Sequence, residues 1–251
     1  MGKFLHAFFG PLGLRRAVPQ VWDGFQTNIK LMVIAEILVL VLALLVAIVR
    51  GLPGRWSLPL RGLAVAYTDF FRGTPIILVA YVIALGLPSL KLAVISGQSL
   101  FVYGIAALTL VYTAYVTEVY RAGIESVHPS QRMAARSLGL TYAQTMTHVI
   151  LPQALYNMLP SILSQCVSTV KDTSIGYVIS VQELTFSAQQ INASLLTKPF
   201  QVFLILALVY FAVCYTLTRC VQGVERRISR RRAFGKMPNV RSLINDSVLQ
   251  S

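Results

Sequence analysis

The sequence predicts an all-α integral membrane fold of about five transmembrane helices, and three observations predict it. Of 251 residues, 55% are hydrophobic and only 12% are charged, about half the charged share of an ordinary soluble domain. The mean hydropathy is +0.66, and several apolar runs approach the roughly 20 residues that a helix needs to cross a bilayer. Between two of those runs lies HPSQRMAARSLGLTYAQTMTHVILP at 128–152, a polar, basic and helix-forming stretch.

The crossings follow in order. The first covers 27–49 and is almost uninterrupted aliphatic. The second apolar run is compound. Residues 57–71 predict a helix near the interface, with Asp69 and Arg72 spaced to pair. Gly73-Thr74-Pro75 breaks it, because proline turns the residue before it away from helix. A crossing from 76 to about 90 comes next, and a third spans 100–120. The fourth opens at Pro152, a residue suited to a first helical turn, and reaches about 170. The fifth covers 200–219. Residues 1–24 lack the basic start, apolar core and small-residue cleavage site of a signal peptide, and read as an interfacial segment. Residues 25–222 form one membrane domain, and 223–251 form a basic cytoplasmic tail. No internal repeat or low-complexity tract interrupts them.

Charge sets the orientation. The net charge is +13. In a chain this apolar, that excess points to a cytoplasmic membrane face rather than to nucleic acid. Arg50, Arg55, Arg61 and Arg72 follow the first crossing, and Arg121, Arg132 and Arg136 follow the third. The tail carries Arg226, Arg227, Arg230, Arg231 and Arg232, suited to gripping the anionic headgroups of membrane lipid. The opposite loops offer only Lys91, Lys171 and Lys198. The positive-inside rule therefore places the tail and the 121–152 loop in the cytoplasm of a multi-pass membrane protein. Lys3, Arg15, Arg16 and Lys30 oppose this and are outvoted. Cys166, Cys214 and Cys220 match no zinc or redox spacing and read as packing residues.

The 128–152 loop has its own internal logic. Ser130 is placed to cap a short helix through 138. Gly139 supplies a turn that a residue with a Cβ resists. Thr141 and Gln144 fit a capping box and open a second short helix to about 150. Two readings stand side by side: a rigid docking elbow, or an ordinary structured loop.

Ala134-Ala135, three residues, Gly139, nine residues, Val149, one residue and Leu151-Pro152 resemble the EAA loop of bacterial ABC importer permeases, whose pattern is Glu-Ala-Ala-x3-Gly-x9-Ile-x-Leu-Pro. FFRGTPIIL at 70–78, YRAGIESVHPSQ at 120–131 and VKDTSIGYVISVQELT at 170–185 are similar to the branch that imports polar amino acids. The likeness covers about 25–225. It departs at Met133, which stands where the family has glutamate and offers a flexible apolar contact instead.

The resemblance implies a type I importer permease in the bacterial inner membrane. Its loop, through Met133, Ala134, Ala135, Gly139, Leu151 and Pro152, forms a coupling helix that docks on a separate ATP-binding subunit. The partners implied are two copies of that ATPase, an identical or homologous permease subunit, and an extracytoplasmic amino acid-binding protein. The chain has no G-x-x-x-x-G-K-[ST] phosphate loop, so ATP-Mg is hydrolysed by the partner. No cofactor, metal or catalytic residue is expected here. Five crossings are also too few to enclose a path comfortably, which favours pairing.

Polar groups within the crossings are the candidates for a substrate path. Glu36 sits inside the first crossing, where a carboxylate costs roughly 2.5–3.5 kcal/mol. It reads either as a pore-side anion or as a structural partner for a neighbouring helix. In the fourth crossing Asn157, Ser161, Ser164 and Ser168 share a face, with Gln165 beside them. That face suits a path or close helix packing. Asp172 follows Lys171 at the end of this crossing, placed to bind substrate, cap the helix or gate the outer mouth. Glu118 and Arg121 are spaced to pair on one helix. A secondary transporter or channel working without ATP is the rival reading. A membrane enzyme is a further rival, and it needs a convergent cluster of titratable groups that the scattered acidic residues do not provide.

Overall fold

In the computed structural model, α1 (Pro11–Arg50) is one helix of 40 residues. The structure describes residues 11–52, 54–91, 96–195 and 199–235. The first crossing is thus the second half of a longer rod, and the helix passes 24 and 25 without a break. Its long aliphatic run explains why. Val33, Ile37, Val41 and Leu44 face outward, as lipid-facing positions do, while Leu31, Ala35, Val39 and Ala43 are buried at every fourth residue. This narrow, mostly small seam lets α1 lie close against α4 (Leu100–Glu125).

The second apolar run bends as its proline demands. α2 (Leu58–Gly73) and α3 (Ile76–Tyr81) meet at 106° across Thr74 and Pro75. α3 continues through a π-helical turn, Val82–Gly86, to Leu87–Ser89. The expected Asp69–Arg72 pair is replaced. Arg72 reaches across to α4 instead, 4.0 Å from Glu118 and over the ring of Tyr115.

α4 is the axle of the molecule. It packs on α1, α2, α3 and α7 (Leu151–Asp172). In its most apolar window 61% of positions are buried, against 22% for α1 and 6% for α9 (Pro199–Gly235). Tyr103, Ala107, Leu108, Val111, Tyr112 and Val116 supply its share of the main core. At Gly123 an added Cβ would come within 2.8 Å of Met158 Cβ, so α4 and α7 touch there through the missing side chain.

The 128–152 loop folds as two short helices about a glycine. α5 (Pro129–Ser137) has His128, not Ser130, as its cap. The His128 ring nitrogen Nδ1 accepts from the Ser130 backbone N–H at 3.2 Å, and Pro129 takes the first helical position, where no donor is missed. α5 ends in a Schellman turn: Gly139 N donates to Arg136 O and Leu140 N to Ala135 O. Gly139 has φ +85, which explains the glycine. Thr141 then caps α6 (Tyr142–Thr145) with both halves of the capping box formed.

No joint separates α6 from α7. A π-helical turn, Met146–Ile150, carries the helix from one into the other, so a single rod of about 45 Å runs from the loop to Asp172. After it come a 3-10 segment, Thr173–Ile179, and α8 (Leu184–Leu195), which packs against α1 and α9. α9 also runs unbroken past 222 and 223.

Among the described residues, three helices are long and apolar enough to cross a membrane, and the bent α2–α3 pair makes a fourth candidate. α7, with 22 residues, is long enough as a fifth but less apolar, because one of its faces is polar.

Candidate functional site

Two adjoining cavities run along that polar face, of about 660 Å³ and 470 Å³. Asn157, Ser161 and Gln165 line the larger one, toward the loop, and Gln165, Ser168 and Asp172 line the smaller one. The steps of four, four, three and four residues put all five side chains on one stripe of α7. Ser164, expected on this stripe, is displaced by Gln165; it lies outside both linings, and its carbonyl accepts from Ser168 Oγ at 3.4 Å. The opposite walls come from the α2–α3 bend and from α4. Arg72, Tyr115 and Gln165 line both cavities and mark their junction.

Each end of the stripe is tied to α4. Asn157 Nδ2 donates to Ser126 Oγ at 2.6 Å, and Tyr112 OH donates to Asp172 Oδ2 at 2.8 Å. At the junction sits an ion cluster. Arg50 of α1 pairs with Glu118 Oε1, and Arg121 Nη2 pairs with Glu118 Oε2 at 2.9 Å, as its spacing predicts. Arg121 also reaches Glu125 at 2.5 Å. Arg50 donates to Thr68 Oγ1 as well, at 3.1 Å, so α1, α2 and α4 are fastened together at one point.

Glu36 does not join this lining. It is 7% exposed, and its carboxylate accepts from Cys166 Sγ at 3.1 Å and from Thr169 Oγ1 at 3.2 Å. Cys166 and Thr169 occupy the side of α7 turned to α1, away from the cavities. Of the two sequence readings, the geometry is that of the structural partner. The physical reason is helix phase: 166 and 169 lie between the stripe positions 165, 168 and 172 and turn away from them.

In the loop, Ala135 is buried while Ala134 is exposed, so the two alanines do not present one surface. The apolar groups turned outward are Met133 at 63%, Leu138 at 81% and Tyr142 at 52% exposure. Leu151 is half-buried and Pro152 exposed at the start of α7.

A polar network at the far end escaped the sequence reading. Glu183, fully buried, accepts from the backbone of Thr185 and Phe186, from Asn28 Nδ2 and from Tyr210 OH. Burial pushes its carboxyl up from the ordinary range, and those donors pull it back. Asn28 also donates to Thr173 Oγ1 at 2.8 Å, next to Asp172. The local signal was available: a glutamate two and three residues ahead of Thr185 and Phe186 is placed to cap α8. Its partners in α1 and α9 were not.

Residues 40–230 match the family described as binding-protein-dependent transport system inner membrane component. The chain belongs to this family. Among the relatives of this inner membrane component is the probable glutamine ABC transporter permease protein GlnM of Bacillus subtilis, 36% identical over 83% of this chain and 93% of that protein. The arginine transport system permease protein ArtQ of the same organism is 30% identical over 84% and 93%. A solved structure described as an amino acid ABC transporter with histidines superposes with a TM-score of 0.79 at 31% identity, covering 86% of this chain and 97% of that one. The MetNI methionine ABC transporter in an inward-facing conformation shares the fold, with a TM-score of 0.61 at 18% identity. The all-helical permease fold of a type I importer is therefore the fold of this chain.

Proposed function

We propose that this chain is the membrane-spanning subunit of an ATP-driven importer of polar amino acids, and that the α7 stripe of Asn157, Ser161, Gln165, Ser168 and Asp172 lines the substrate path. One observation carries the reading: this polar face is solvent-accessible along two adjoining cavities, and the helix that bears it begins in the 128–152 loop without a joint. A push on the loop is carried into the lining along one continuous helix, which holds Pro160 between Asn157 and Ser161. Relatives named for glutamine and arginine transport support the substrate class.

In this reading the loop faces the cytoplasm with the carboxyl-terminal tail. One of two ATP-binding subunits docks on it through Met133, Ala134, Gly139 and the exposed Leu138 and Tyr142, while Ala135 is buried inside the elbow and Leu151 and Pro152 carry the contact into the start of α7. ATP-Mg is hydrolysed by those subunits, and this chain is a transport component without a catalytic site or cofactor of its own. A second permease subunit, identical or homologous, closes the path from the other side. An extracytoplasmic binding protein delivers the amino acid, and lipid surrounds α1 and α9.

The test is reconstitution in liposomes with its ATPase and binding protein. Uptake of glutamine, arginine, histidine or glutamate should require ATP and stop with vanadate. Single cysteines at Met133 and Leu138 should crosslink to the ATPase. Uptake that continues without the ATPase would establish the secondary-transporter alternative instead.

A further inference from the structure

The ion cluster at the cavity junction leaves one cation unspent. Glu118 Oε1 is held by Arg50 and Oε2 by Arg121, which turns a second nitrogen to Glu125. Arg72 reaches Glu118 only at 4.0 Å, beyond hydrogen-bond distance. Its guanidinium lies 5.9 Å from the Tyr115 ring centroid, and its side chain is 43% exposed where both cavities meet. Three guanidinium groups thus share two carboxylates, and the surplus charge is at the cavity wall. The smaller cavity also carries Asp172. That carboxylate accepts the Tyr112 hydroxyl at 2.8 Å and has no ion pair among the described residues.

The smaller cavity therefore presents an unspent cation and an unspent anion on one lining. A planar guanidinium suits a carboxylate, which it binds through two parallel hydrogen bonds. We propose that Arg72 is the carboxylate anchor of the permease: it holds the α-carboxylate of a free amino acid while Asp172 holds the α-ammonium. This rests on the α7 stripe being the substrate path. The side chain of the bound amino acid then points into the larger cavity, past Asn157 and Ser161. The permease reads the zwitterion common to all α-amino acids at one end and the side chain at the other.

The test uses the purified permease–ATPase complex in lipid nanodiscs, without the binding protein, so that only the membrane site selects. The probes are radiolabelled L-glutamine, L-arginine, L-histidine and L-glutamate. The one that binds most tightly is competed with its own α-carboxamide, which keeps the ammonium and loses the negative charge. In the unaltered complex the carboxamide should compete at least about tenfold more weakly than the amino acid. Arg72→Gln should weaken the amino acid by about tenfold to a hundredfold and bring the carboxamide within about twofold of it. Arg72→Lys keeps the charge but not the fork and should fall between; it carries the test if the glutamine variant fails to assemble with the ATPase. Arg72→Gln with unaltered affinity and discrimination overturns the proposal. If Asp172→Asn weakens binding and Arg72→Gln does not, the anchor falls and the path stands. If none of the four amino acids binds the unaltered complex, the path reading falls and takes the anchor with it.

Discussion

Asn28 and Glu183, 155 residues apart in the chain, meet at 3.1 Å in the buried layer between α1, α8 and α9. Asn28 also accepts from the Leu184 backbone N–H at 2.8 Å, and Glu183 caps the next two N–H groups of α8. Glu183→Ala strands several buried donors at once, each worth about 1–3 kcal/mol. The purified complex should lose several degrees of Tm, and Glu183→Gln, which keeps one acceptor oxygen, about half as much. Thermal melting in nanodiscs checks this, and equal Tm for the alanine variant would show the network to be idle.

Glu36 and Asn157 should separate in a transport assay. Glu36→Gln keeps an acceptor toward Cys166 and Thr169, so uptake should stay within about twofold of the parent. Glu36→Leu removes that acceptor and should lower stability by about 1–3 kcal/mol. Gln165→Leu puts an apolar group on the cavity wall and should lower uptake while leaving Tm nearly unchanged; Asn157→Leu should lower uptake as well, with a small loss of Tm because the bond to Ser126 goes with it. A large loss of uptake in Glu36→Gln would return that carboxylate to the path.

Gly139→Val should leave membrane insertion intact and abolish ATP-driven uptake. Nothing lies within 4 Å of a Cβ at this position, so the effect comes from the backbone, held at φ +85. A residue with a Cβ pays roughly 1–2 kcal/mol in that conformation, and a β-branched one more. The Schellman turn then opens and the elbow loses its angle. Uptake assayed beside surface-protease protection distinguishes failed coupling from failed insertion.

Arg50 and Glu118 should be energetically coupled. Their side chains are only 15% and 16% exposed, so each is poorly solvated once its partner is gone. Arg50→Ala and Glu118→Ala should each destabilise by about 2–3 kcal/mol, and a double-mutant cycle should return a coupling of at least about 1 kcal/mol. Coupling near zero would mean that Thr68 and Arg121 suffice to hold α1, α2 and α4 together.

Much of this molecule was determined by the order of its residues alone. The apolar runs set the crossings, because a helix satisfies its own backbone where lipid cannot. Pro75 set the bend, Thr141 and Gln144 set a cap, and Gly139 set a turn, since each acts on neighbours within a few residues. The polar stripe on α7 was visible as a periodicity, although its phase was placed one residue off at Ser164. The tertiary structure decided everything that depends on which helix faces which. It turned Glu36 toward Cys166 and Thr169, laid Arg72 over Tyr115 near Glu118 rather than beside Asp69, and brought Asn28 to Glu183. Such pairings depend on helix rotation and packing between segments 40 to 160 residues apart, and a single chain of letters carries no local signal for them. The missing joint between loop and α7 was hidden for a related reason: a proline at 152 reads as a start, whereas a π-helical turn just before it carries the helix through.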